Sequence, residues 1–137
     1  MKLIIPLITG VIMIFIIPVR AQNMIGYHKD EIPKIMKKLH PGYRVDASAV
    51  DSPNPSIKFV GPDDERTLMY FLDKDGYCIS AKFLIENEHL KNTVDTLMKN
   101  YERADELKWE DESKGKECII RLDKNEWFST IFITIKD

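Results

Sequence analysis

Three histidines and two cysteines are the side chains in this 137-residue chain best suited to nucleophilic or metal chemistry. Their spacing supports neither. His28, His40 and His89 lack the HExxH separation, and none stands beside Cys78 or Cys118 at zinc-ligand distance. His40 precedes the helix-stopping Pro41-Gly42 and His89 falls in a predicted first helical turn, so surface or capping roles are expected. Asp73-Lys74-Asp75-Gly76 has the opening acids of a calcium loop but not the third acid or the downstream bidentate Glu; a tight hairpin turn explains it better. Asp63-Asp64-Glu65 reads as an exposed acidic turn, at most a weak cation site. No serine sits in a nucleophile elbow, and the six glycines are scattered at turns rather than gathered into a phosphate loop. No catalytic residue, metal or cofactor is therefore assigned.

Aromatic side chains are the other candidates. Trp109 and Trp127 are the best anchor candidates if there is a binding site, since Trp dominates interface hot spots; the alternative for each is a place in or at the edge of the core. Strand alternation adds three more. If Ile131, Ile133 and Ile135 face the helices, Phe128 and Phe132 point to the opposite side, as do Met69 and Phe71. One face of an antiparallel sheet is usually wetted, so aromatics there predict a covered surface: a protein partner, a homodimer or an apolar ligand.

The elements that position these residues follow from periodicity. Ile32, Ile35, Met36 and Leu39 recur at helical spacing, with Asp30 as the expected N-cap and Pro33 in the first turn. Short strands are predicted at 43–47 and 56–60, then a hairpin of 66–72 and 77–86 across the Asp-Gly turn. Asn87 is the expected N-cap of a second helix over 88–101, striped by Leu90, Val94, Leu97, Met98 and Tyr101. Strands at 107–111, 117–123 and 127–135 close the chain. The order α-β-β-β-β-α-β-β-β, following an N-terminal signal helix, predicts an α+β domain with a mainly antiparallel sheet and its helices on one face. Its two α-then-β blocks hint at duplication without any residue-level match.

The first 21 residues read as a cleavable signal peptide. Lys2 precedes an apolar run over Leu3–Pro18, and Val19-Arg20-Ala21 puts small residues at −3 and −1. The run is short for a membrane span and carries Pro6, Gly10 and Pro18. A single domain over 22–137, periplasmic or extracellular, is expected, touching the membrane only through the precursor segment. It holds 18 Lys and Arg against 22 Asp and Glu, a formal charge of −4. That balance argues against nucleic acid and anionic membranes, which need a basic surface. Export makes a Cys78–Cys118 disulfide permissible, and its 40-residue loop would stabilise by about 4 kcal/mol. Alternation opposes it: Tyr77, Ile79, Ala81, Phe83 and Ile85 share a face, which turns Cys78 away from the face of Cys118, Ile120 and Leu122. Both a disulfide and buried thiols stay open.

Tyr70-Phe71-Leu72-Asp73-Lys74-Asp75-Gly76-Tyr77-Cys78, the helix ending Lys99-Asn100-Tyr101 and the following Lys108-Trp109 resemble a style of small exported protein found in Bacteroidetes-type bacteria. The resemblance spans roughly 66–135 and implies localisation and fold, with no established activity. Gly26 to Leu39 is similar to the helix-opening segment of SmpA-like and β-lactamase-inhibitor-like envelope domains, which are binding modules; the chain departs from their lipoprotein members in having no lipid-bearing cysteine. These readings favour a non-enzymatic binding domain. The alternatives are a hydrolase with an unrecognised site and an inhibitor or immunity protein.

Overall fold

The computed structural model describes residues 23–62 and 66–136. The expected signal helix and the acidic turn at 63–65 lie outside them. Helix α1 (Ile32–Leu39) precedes strands β1 (Arg44–Asp46), β2 (Ser56–Val60), β3 (Arg66–Leu72) and β4 (Cys78–Glu86). A 3₁₀ turn (Asn87–His89) and helix α2 (Leu90–Asn100) lead into β5 (Glu102–Asp105), β6 (Lys108–Ser113), β7 (Lys116–Lys124) and β8 (Phe128–Ile135). All eight strands form one antiparallel sheet in the order β1-β2-β3-β4-β8-β7-β6-β5. Each half is thus a helix followed by a four-stranded meander, and the halves join at β4 and β8. The expected antiparallel α+β sheet is present, with one strand more than periodicity gave. That strand is β5, whose four residues are all exposed.

One sheet face carries the core. Ile57, Tyr70, Ala81, Ile133, Ile120 and Trp109 lie in register across six strands, and all are buried. Phe59, Leu68, Phe83, Ile131 and Leu122 form the next row. Ile32 and Met36 of α1 and Leu97 of α2 complete this cluster, and the Met36 sulfur receives the Tyr70 hydroxyl at 3.9 Å. The segment Asn23–Ile25 is also buried in it. Ser113 Oγ donates to the Ile25 carbonyl at 2.6 Å, and Asn23 Nδ2 donates to Asp111 Oδ2 at 2.8 Å.

Three local expectations need correction. Asp30 does not cap α1; Glu31 precedes the helix, and its carboxylate reaches back to the His28 backbone N–H at 3.0 Å. Asn87 does not cap α2. Its Nδ2 donates to the carbonyls of Asn125 (2.8 Å) and Glu126 (2.9 Å), and its Oδ1 accepts from Ser129 Oγ at 2.7 Å. The side chain therefore ties the start of the second half to the β7–β8 turn. Third, Cys78 does not point away from the core. The β3–β4 register slips between Phe71, opposite Ser80, and Leu72, opposite Cys78. Ile79 is the extra residue of this bulge, and one extra residue reverses alternation. Cys78 is consequently 1% exposed, whereas Tyr77 and Ile79 are exposed.

Candidate functional site

The Asp73–Gly76 segment makes the expected hairpin turn. Asp73 Oδ1 accepts the backbone N–H groups of Asp75 and Tyr77, both at 2.9 Å, so this carboxylate is committed to the turn. Gly76 has φ +89°, and a Cβ there would stand 2.9 Å from His28 Nε2. His28 stacks edge-on against Tyr77 with ring centroids 5.0 Å apart, and its Nδ1 accepts the Asp30 N–H at 3.2 Å. His89 Nε2 lies 3.5 Å from Glu88 Oε1. Burial, aided by the positive charge of Arg66, lowers the pKa of His40. Among the described residues no group of three or more His, Cys, Asp or Glu is placed to hold a metal.

The two cysteines are free and share the core face. Each thiol donates to a carbonyl two residues away at 3.4 Å, Cys78 to Ser80 and Cys118 to Lys116. Burial pushes the Cys78 thiol up to about 12 and raises Cys118 as well. The nucleophilic form is the thiolate, so neither is activated.

A cleft of about 510 Å³ opens where β5 stops short and leaves β6 beyond Glu110 unpaired on that side. Asn100 and Tyr101 at the end of α2, Glu110 to Glu112, and Cys118 are among its lining residues. Glu102 stands opposite Glu110, and Glu112 opposite Glu117, like-charge pairs that repel. Lys136 Nζ bonds Glu110 Oε1 at 2.9 Å, which raises the lysine pKa.

The richest surface is the sheet face away from the helices. Register places Asp46, Lys58, Met69, Lys82, Phe132, Arg121, Lys108 and Asp105 in one row across all eight strands. On one side of this row run Val60, Thr67, Leu84 and Thr130; on the other, Phe71, Ser80, Thr134 and Ile119. Met69, Phe71, Leu84, Ile119 and Phe132 are half-buried. The Phe132 ring lies between two cations, the Arg121 guanidinium 4.7 Å and Lys82 Nζ 5.9 Å from its centroid. Cations over an aromatic face shield it from water while their own charge stays outside.

Of the five aromatic residues singled out by sequence, Phe71 and Phe132 lie on this face, and Phe128 lies on it nearer the end of β8, 46% exposed. Trp127 is 78% exposed, just before β8. Trp109 does not join them. Its position opposite Ile120 puts it on the core face, 1% exposed, where it fills the interior. Its Nε1 has no hydrogen-bond partner among the described residues. Alternation along β3 and β8 signals the aromatics, but the lysines and arginine between them become neighbours only through pairing.

No family model matches the chain, and neither does any curated protein or solved structure. Among the described residues no helix is long and apolar enough to cross a membrane.

Proposed function

We propose that this chain is an exported, periplasmic or extracellular, non-enzymatic binding domain that engages a protein or an apolar ligand through the open face of its sheet. The observation that carries the reading is the set of half-buried apolar side chains, Met69, Phe71, Leu84, Ile119 and Phe132, on the face opposite both helices. A sheet whose only task was to cover a core on one side would present small or polar residues on the other. The exposed Phe128 extends the same surface along β8.

The test is a Phe132→Asp chain used as bait in the native envelope fraction, beside the unsubstituted chain. The variant is expected to keep its circular dichroism and cooperative unfolding while losing the captured partner. Unfolding of the variant would show that Phe132 belongs to the core, and undiminished capture would show that the face is not the binding surface.

A further inference from the structure

The row across the open face has a spacing as well as a charge. In strand order, Lys58 (β2), Lys82 (β4) and Arg121 (β7) occupy alternate strands, separated by Met69 on β3 and Phe132 on β8. Adjacent strands lie about 4.8 Å apart, so the cations repeat at about 9.6 Å. Lys82, at the centre, is half-buried and has no carboxylate within ion-pair distance among the described residues. Arg121 also holds Asp123 at 3.3 Å, and Lys58 lies near Asp46. Both ends of the row are acidic: Asp46 on one edge strand and Asp105 on the other.

These features select an occupant. A polyproline II segment rises about 3.1 Å per residue with three residues per turn, so an acid at every third residue recurs on one side at about 9.3 Å. An extended strand repeats a face at about 6.7 Å, and an α-helix at about 5.4 Å or, over two turns, 10.8 Å; both lose step with the cations. The two residues between successive acids would project to either side. There the row is flanked by Val60 and Leu84 on one side and by Phe71 and Ile119 on the other. A long polyanion would run on over Asp46 and Asp105, whereas a segment of about seven residues ends before them.

We propose that this row is a docking track for an acidic polypeptide segment in the polyproline II conformation, lying across the strands with an acid at every third residue against Lys58, Lys82 and Arg121. The proposal rests on the reading of the open face as the binding surface and names its partner. Extended proline-rich segments suit such a track because little conformational entropy is lost when they dock.

Fluorescence anisotropy with the full chain tests it. The probe is a labelled peptide of three Glu-Pro-Leu repeats; its control has the same composition with the three Glu adjacent. The spaced peptide is expected to bind about tenfold or more tightly than the control, and added salt to weaken it. Lys82→Glu should reduce binding about tenfold or more, while Lys108→Gln, at a cation off the alternate spacing, should leave it within about twofold. Lys82→Met, which keeps an unbranched stem of similar length without the charge, controls for folding and should lie between. Equal binding of the two peptides, or no change on Lys82→Glu, would overturn the proposal. So would binding of a sulfated glycan such as heparin without binding of the spaced peptide. If the spaced peptide fails but Phe132→Asp still abolishes envelope capture, this proposal falls and the open face stands; if capture also survives, both fall.

Discussion

Two rows of residues lie one step apart along the same strands and face opposite ways. The core row runs Ile57, Tyr70, Ala81, Ile133, Ile120, Trp109; the open row runs Lys58, Met69, Lys82, Phe132, Arg121, Lys108. Each row contains large side chains and each contains an aromatic at its centre or near it. Their aromatics are satisfied differently. Tyr70 meets Phe59 and Phe83 edge-on, both at 5.8 Å between centroids, inside an apolar cluster. Phe132 has instead the charged ends of Lys82 and Arg121. The hydrophobic effect scales with area removed from water, so the first arrangement supplies stability and the second supplies little. What the second keeps is an ordered surface with charge at a fixed interval.

The comparison breaks most visibly at matched phenylalanines. Phe83→Ala removes a fully buried ring that packs against Tyr70, and it is expected to cost about 3–5 kcal/mol. Phe132→Ala, one strand away on the open face, should cost less than about 1 kcal/mol. Urea unfolding of the two variants measures both. Equal losses would mean that the open face is as much a core as the other.

A middle-sized effect tests how the core face admits a polar residue. Ser129 lies in register with Ile85 and is fully buried, and its hydroxyl donates to Asn87 Oδ1 at 2.7 Å. Asn87 also holds the carbonyls of Asn125 and Glu126. Asn87→Ala leaves a buried hydroxyl without its acceptor and should cost about 1–3 kcal/mol. In the double variant with Ser129→Ala, part of that loss should return. A strictly additive cycle, read from unfolding midpoints, would show that the two groups do not depend on each other.

The two rows were not equally legible in the sequence. Alternation in β3, β4, β7 and β8 assigns Tyr70, Ala81, Ile120 and Ile133 of the core row and places Phe71, Phe128 and Phe132 opposite it. Strand β5 left no signal, because Glu102–Asp105 buries nothing and is held by backbone pairing with β6. The cationic row left none either. Residues 58, 82, 121 and 108 are neighbours only after five strand pairings are known, and the chain's formal charge of −2 conceals a local basic stripe. The candidate anchors were half legible: residue type marks Trp109 as strongly as Trp127, but only the structure separates them, one interior opposite Ile120 and the other 78% exposed.

The smallest effect at neutral pH concerns the residue that alternation placed on the wrong side. Cys78 belongs to the core face only because Ile79 is bulged out of the β3 pairing. On the open face its thiol would titrate near the ordinary value and react with disulfide reagents. Inside, burial lifts it from 9.0 to about 12. Below about pH 9 the folded and unfolded chains both carry the proton, and Cys78 adds no pH dependence. Above that the unfolded chain releases it while the folded chain keeps it, so stability should fall as pH rises from about 9 toward about 12. Cys118 and Tyr70 are shifted in the same direction by burial, and the slope is therefore shared. Cys78→Ala isolates one part of it: its unfolding free energy should decline less steeply over that range than that of the unsubstituted chain. In parallel, the native thiols should resist an aromatic disulfide reagent at pH 8 and react promptly once urea unfolds the chain. Fast native reaction of Cys78, with the slope unchanged in Cys78→Ala, would put the bulge at another position and return Cys78 to the face that alternation gave it.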